Sequence, residues 1–344
     1  MTLIKEFLSY FHNQDVKLWV DDGQLHYSAP EGILTSALKS QLRERKSEII
    51  ELLQNTDLAS IFSITPILPA SRNESLPLSF SQQRLWFLQQ LEPNNSFYNE
   101  SAALQLIGTL DIAALEQSLN RVVQRHEMLR TTFDILNGQP IQVIASNLTL
   151  TLPVIDLSQL AEAEQGRVVQ RLSLEQSQRL FNLGQGPLLR CKLLQLSDQK
   201  YVLILTMHHI IGDVWSGGVL ISELSFLYQT FTTGKSISLP ELPIQYADFA
   251  VWQRKELKGE KLQSQLSYWK QQLENAPPLL QLPTDRPRPS DQTYQGAKQF
   301  FRLSKGLTKA LKEIGSKAGA TLFMILLAAF KILLYRYSGQ VDII

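Results

Sequence analysis

An unbroken apolar run, Tyr201 to Thr206, delivers two adjacent histidines into a polar loop, and an amphipathic run, Val219 to Phe231, leads away from it. The pattern reads as strand, loop and helix, with Met207-His208-His209-Ile210-Ile211-Gly212-Asp213-Val214-Trp215-Ser216 at the junction. Polar side chains set between two buried elements cost free energy unless they are paired or used. Adjacent residues of an extended segment point to opposite faces, so only one of His208 and His209 faces a given cavity and the other is structural. A neutral imidazole at the end of an apolar strand can act as a base near neutral pH. Asp213 lies past a turn, and burying it without a cationic partner would be costly, so an Arg–Asp pair holding the loop is expected.

The residues alone leave several chemistries open. The histidine pair can be purely structural. A metal site is the weakest alternative, because adjacent histidines with one aspartate lack the helical i, i+4 ligand spacing of common zinc sites. A Ser-His-Asp nucleophile lacks a Gly-x-Ser-x-Gly elbow anywhere in the chain. A base or positioning group in acyl transfer is the fourth. The net charge of +1 argues against a nucleic-acid partner. Cys191 is the single cysteine, which fits a reducing cytoplasm and excludes internal disulfides and cysteine-based zinc sites. The N-terminus has no basic segment followed by a long apolar one, so no signal peptide is read. The most apolar run, Leu322 to Phe330, is too short to span a bilayer and reads as a core helix, so no membrane partner is expected.

Along the chain, Leu3, Ile4, Phe7, Leu8 and Phe11 recur at helical spacing. Val16, Leu18 and Val20 alternate, Asp21-Asp22-Gly23 turns, and Leu25 and Tyr27 alternate again, which predicts a hairpin. Thr35 or Ser36 caps a helix running to Leu53. Residues 1–57 thus form a small unit, residues 58–75 a Ser-, Asn- and Pro-rich linker, and residues 76–344 the remainder. In the remainder, Ser79 and Asp111 open helices. Strands are expected near 104–107, 141–144, 149–152, 188–196 and 201–206, and a helix over 161–179. Helices follow Pro240, then a proline-studded connector over 277–289, a strand over 297–303, and helices capped by Ser304 and Thr321.

Two resemblances sharpen this outline. Through Asp22-Gly23, Ala29-Pro30-Glu31-Gly32 and Leu34-Thr35, residues 1–57 resemble the TubC-like N-terminal docking domains of nonribosomal peptide synthetases. That family splits its last helical segment in two, whereas no Gly or Pro forces a break here. The resemblance implies that the hairpin, with Lys17, Trp19, Leu25 and Tyr27, receives a C-terminal segment of an upstream synthase subunit, and it leaves room for a homodimer.

The second covers residues 76–344. His208-His209-Ile210-Ile211-Gly212-Asp213 resembles the HHxxxDG motif of the synthetases' condensation domains. Ser79 to Leu88 is similar to SxAQxRLWFL, Arg125 to Phe133 matches RHExLRTxF, and Tyr246 to Trp252 is similar to YxDFAxW, all in the family's order. Ser81 stands where alanine is usual and Val214 where glycine is usual.

What the resemblance implies is an α+β fold: a docking unit, then a chloramphenicol-acetyltransferase-like lobe (about 76–250), a connector and the beginning of a second lobe (about 251–344). It also implies amide formation between a carrier-bound acyl thioester and a carrier-bound amine. Phosphopantetheine arrives on donor and acceptor carrier proteins rather than as a bound cofactor. The catalytic motif falls on His208, His209 and Asp213. His209 would be base or positioner, His208 structural, and Asp213 paired with Arg130. Gly212 and the helix start at Trp215 would assist an oxyanion. Trp215-Ser216 resembles the subtype joining L-configured donor and acceptor. The alternative is an inactive module that serves only docking.

Overall fold

The computed structural model describes residues 7–8, 11, 16–21, 24–29, 33–55, 66–234, 239–287, 289, 296–297 and 299–344. The chain divides into two compact units, one of Ile67–Leu262 and one of Met1–Pro66 with Gln263–Ile344.

In the second of these, β1 (Lys17–Asp21) pairs antiparallel with β2 (Gln24–Ser28), with Trp19 opposite His26 and Leu18 opposite Tyr27. Leu8, Phe11, Val16, Leu42 and Ile49 make a small core, against which Leu18 and Leu25 pack. Trp19 and His26 stack on the other face, their ring centroids 5.7 Å apart. The proposed docking residues therefore divide. Leu25 is committed to the core, Trp19 is 43% exposed on the outer face, and Tyr27 is half exposed. The side chain of Lys17, the turn residues 22–23, the segment 30–32 and residues 58–65 of the linker lie outside the described residues.

One continuous helix to Leu53 is expected, but the structure has two, α1 (Ser36–Glu44), capped by Thr35, and α2 (Lys46–Asn55). Tertiary contacts account for a break that local propensity does not require. The Arg45 guanidinium lies 4.8 Å from the centre of the Phe7 ring, and Lys46 donates to Gln24 of β2 at 2.7 Å.

The unit of Ile67–Leu262 begins with β3 (Leu76–Pro77) and α3 (Phe80–Leu91), the latter opened by a reciprocal Ser79–Gln82 capping box. The next strand, β4 (Asn99–Ile107), starts earlier than Leu104, where the sequence places it. Then come α4 (Ile112–Arg125), a short 3-10 turn (Glu127–Arg130), β5 (Thr131–Leu136), β6 (Gln139–Ile144), β7 (Val154–Asp156) and α5 (Glu162–Gln178). β8 (Leu189–Ser197) and β9 (Lys200–His208) form a hairpin, and α6 (Val214–Thr233) and α7 (Tyr246–Glu256) follow. The main sheet runs β4-β9-β8-β7 and a smaller one β3-β6-β5.

Tyr201, Leu203, Leu205 and Met207 of β9 face α4 and α6, packing with Leu119, Val123, Leu220 and Leu224. Val202 and Ile204 face α5, packing with Leu172. A central strand buried on both faces reads as a continuous apolar run, as this one does.

The expected strand at 149–152 is absent. Its amides are satisfied instead by α4 side chains: Leu150 N donates to Asn120 Oδ1 at 2.7 Å and Leu152 N to Glu116 Oε1 at 2.8 Å. With those groups paired, no ladder is required there.

In the other unit, α8 (Gly259–Gln272) reaches in from Leu262, and α9 (Lys305–Ala318) and α10 (Leu322–Ser338) are opened by Ser304 and Thr321 as expected. The strand expected over 297–303 does not form among the described residues. Phe300 and Phe301 stand exposed with no strand partner to extend against. The α9–α10 turn is tight: a Cβ on Gly315 would come within 2.7 Å of the Ala320 carbonyl oxygen, so glycine is required. The expected core helix α10 has no buried residue, and Phe323, Met324, Phe330 and Leu333 are exposed. Helix α9 contacts it across a bend of 105°. Among those residues no single helix is long and apolar enough to cross a membrane.

Candidate active site

Strand β9 ends at His208, and α6 begins at Val214, so residues 209–213 make the loop between them. His208 is 2% exposed. Its ring lies between Phe181 and Tyr98, and its Nδ1 accepts from Ile210 N at 3.1 Å. Nε2 is buried and has no partner among the described residues. Burial, with the neighbouring His209 adding to it, lowers the His208 pKa from 6.5 to about 4. The ring is therefore held neutral and walled in.

His209 points the other way, its side chain 35% exposed. Its amide donates to Tyr98 O at 2.8 Å, which carries the β4–β9 ladder one residue past the strand. Nδ1 lies 3.0 Å from Gly212 O and 2.7 Å from Glu100 Oε1. A carbonyl oxygen can only accept, so Nδ1 carries a hydrogen, and in the neutral ring Nε2 then holds the lone pair. Among the described residues Nε2 makes no hydrogen bond. Gly212 fits closely beneath the loop, since a Cβ there would come within 2.9 Å of Met207 Sδ.

Asp213 is exposed and caps α6. Its Oδ1 accepts from Ser216 N at 2.8 Å and from Ser216 Oγ at 2.6 Å, and these bonds hold its carboxyl below the usual range. The expected Arg130–Asp213 pair is not present. Arg130 donates to Ala145 O and lies 3.9 Å from Glu127, while Asp213 is spent on its own helix. Because Ser216 N is occupied by that cap, it is not free for an oxyanion. Val214 starts the helix with ordinary backbone, since the positive-φ residues other than glycine are Asn137 and Asn275. Trp215 is 82% exposed on the first turn, at the rim of an apolar cavity of about 290 Å³ lined also by Val122, Met128, Met207 and Tyr246.

The remaining motif residues support this loop. Gln82 is buried and donates to Ile210 O at 3.4 Å. Arg125 and His126 both bind Glu223 of α6, at 3.1 and 2.7 Å, so His126 ties α4 to α6. Asp248 accepts from Ala70 N, Gln245 N and Arg72.

Two of these residues escape a reading of the sequence. Glu100 lies where no strand is expected, so nothing in the linear order connects it to His209. Gln82 falls in the helix that Ser79 opens, but nothing there marks it as a donor to a loop 128 positions away. The described residues contain no group of three or more His, Cys, Asp or Glu side chains able to hold a metal ion.

This chain has a four-stranded sheet with helices on both faces and a histidine pair at the end of its central hairpin. The condensation-domain family matches residues 72–344, and the TubC N-terminal docking domain matches residues 4–55. The chain belongs to the condensation-domain family. More particularly, it joins a TubC-type docking domain to that domain, as nonribosomal peptide synthetases do. It is 50% identical over 278 residues to one of the linear gramicidin synthase polypeptides of Brevibacillus parabrevis, a match covering 81% of this chain and 5% of that protein. The X-domain from teicoplanin biosynthesis is similar, with a TM-score of 0.68 and 31% identity over 79% of this chain and 60% of that one. The EpoB cyclization-docking bidomain from Sorangium cellulosum gives a TM-score of 0.69 at 25% identity over 98% of this chain and 66% of that one. This chain thus spans a small part of its curated relative's length.

The site's electrostatics and capping can each be measured. His208 takes up a proton near 6.5 when unfolded and near 4 when folded, so the unfolded state binds more protons between those values. Stability is then full above about pH 6.5 and falls toward pH 4, by up to about 3 kcal/mol. Denaturant midpoints at pH 7.5 and pH 5 are expected to differ less in His208→Asn than in wild type. Asp213→Asn keeps a capping oxygen and is expected to leave the melting temperature unchanged, whereas Asp213→Ala costs about 1 kcal/mol; equal melting of all three would remove the capping role.

Proposed function

We propose that this chain forms amide bonds, transferring a carrier-bound acyl or peptidyl group from its thioester to the amine of a carrier-bound amino acid, with His209 as base or positioner. The observation that carries this reading is the His209 ring. Its Nδ1 is turned to acceptors, which leaves Nε2 with its lone pair at the exposed end of the strand. Family membership and the presence of His208, His209 and Asp213 at the motif's spacing support it.

A thioester is already activated, so much of the acceleration comes from holding amine and carbonyl together, which can contribute about 7–11 kcal/mol. Nε2 accepts the amine proton as the C–N bond forms and returns it to the departing thiolate. His208, neutral and walled in, keeps the strand end rigid, and Asp213 keeps α6 and the loop in place. Trp215-Ser216 favours the subtype joining L-configured partners. Phosphopantetheine enters as the arm of each carrier protein and not as a resident cofactor.

For residues 1–57 we propose a docking role, with the hairpin taking up a C-terminal segment of an upstream synthase. The exposed, stacked Trp19–His26 face supports it. Residues 58–75 serve as the linker and 76–344 as the condensation domain. A docking-only protein remains the alternative that the assay decides.

With two loaded carrier proteins, His209→Ala is expected to lower the rate of amide formation about 10²–10⁴-fold without changing the melting temperature; an undiminished rate removes the role of His209. No product from wild type leaves docking as the function. Separately, Trp19→Ala is expected to weaken binding of the upstream C-terminal peptide about tenfold by calorimetry, and equal affinity argues against that face.

A further inference from the structure

We propose that Glu100 is a positioning residue for His209, its carboxylate stabilising the imidazolium that forms when Nε2 takes up the amine proton. The proposal deepens the reading of His209 given above and rests on it.

The sheet register brings the two together. Glu100 lies opposite Met207 in the β4–β9 ladder, and His209 is two residues beyond Met207 on the same face. That makes them diagonal neighbours, within reach of a side chain as long as glutamate. Glu100 Oε1 is 2.7 Å from His209 Nδ1, and the two side chains are 31% and 35% exposed.

Anchoring the strand does not require this contact. The start of β4 is already held by Asn99, which donates to Ser177 O and Arg179 O, by the Ser101–Thr206 hydroxyl pair at 2.8 Å, and by the ladder itself. Fixing the tautomer does not require it either, because Gly212 O accepts from the same Nδ1 at 3.0 Å. What Glu100 adds, and a carbonyl does not, is a full negative charge against a ring that becomes positive during the reaction. Asp213 is engaged with Ser216.

The amine lone pair forms the C–N bond, the carbonyl π pair moves to oxygen, and Nε2 removes one proton from nitrogen. The carbonyl then re-forms as the C–S bond breaks, and the thiolate takes that proton from Nε2. Glu100 gives up and gains no proton. Its carboxylate oxygen, 2.7 Å from Nδ1, attracts the ring more strongly while the ring is charged.

The test compares wild type, Glu100→Gln, Glu100→Ala and His209→Ala in amide formation from loaded carrier proteins, with imidazole ¹⁵N spectra of the same proteins. Glu100→Gln is expected to lower kcat about tenfold or more, with KM for both carriers and the melting temperature unchanged. Glu100→Ala should lose at least as much. Wild-type His209 should show the Nδ1–H tautomer, and its ring nitrogens should shift in Glu100→Gln. A normal kcat in Glu100→Gln beside an impaired His209→Ala overturns the proposal and leaves the role of His209 standing, and a loss expressed only in KM or in melting temperature overturns it too. If wild type itself forms no amide, the functional reading fails. The spectra then judge the pairing alone, and ring nitrogens indifferent to Glu100→Gln overturn it.

Discussion

Burial of β9 on both faces is the constraint on which the site depends. Residues of one parity pack against α4 and α6, those of the other against α5, and the flanking strands pair with it along its length. A slip of one residue would exchange the two faces and set every one of these side chains against the wrong layer. The register that fills both cores therefore also decides which histidine is which. His208 falls on the α5 side between Phe181 and Tyr98, and His209 falls on the side of Met207 at the strand's open end.

A strand end so fixed still needs a loop that holds its shape, and the loop is held by backbone groups more than by ion pairs. Gln82 donates to Ile210 O, Ile210 N is taken by His208 Nδ1, Tyr98 O receives the His209 amide, and Gly212 O faces the His209 ring. Charged groups act one step further out. Arg72 bridges Glu127 and the buried Asp248, and Glu223 gathers Arg125 and His126. Asp248 keeps its charge despite burial because three donors converge on it, the condition under which a buried carboxylate is tolerated.

What the sequence makes legible follows from how local each signal is. The β8–β9 hairpin, α6, and the caps at Thr35, Ser79, Asp111, Ser304 and Thr321 are written in adjacent residues, and the structure has them. The opposed faces of His208 and His209 come from the period of a strand. The break at Arg45, the missing strand at 149–152 and the exposed α10 depend on partners distant in sequence, which no local pattern encodes. The Arg130–Asp213 pair fails for a related reason. Charge complementarity says that an aspartate wants a partner, but Ser216, three residues away, supplies one without any tertiary contact. Glu100 is the converse case, an ordinary strand residue made significant only by register.

The cap at Asp213 also bears on how the proposed chemistry divides among the residues. A helix start offers free amides and a partial positive charge, both suited to an oxyanion. Here the Asp213 carboxylate takes up Ser216 N and sets its own negative charge at that end. The helix start is thus used to fix the loop, and what it could lend to a developing negative oxygen is reduced. On the proposed mechanism, this end of the site then works through proton transfer at His209 and through the fixed geometry of the strand end, with less reliance on an anion hole. A thioester suits such a division, since its carbonyl is already reactive and its leaving thiolate needs little electrostatic help. The harder demand is to hold an amine, unprotonated and aimed, beside Nε2, and that is a demand a rigid, doubly buried strand meets better than a field of amides.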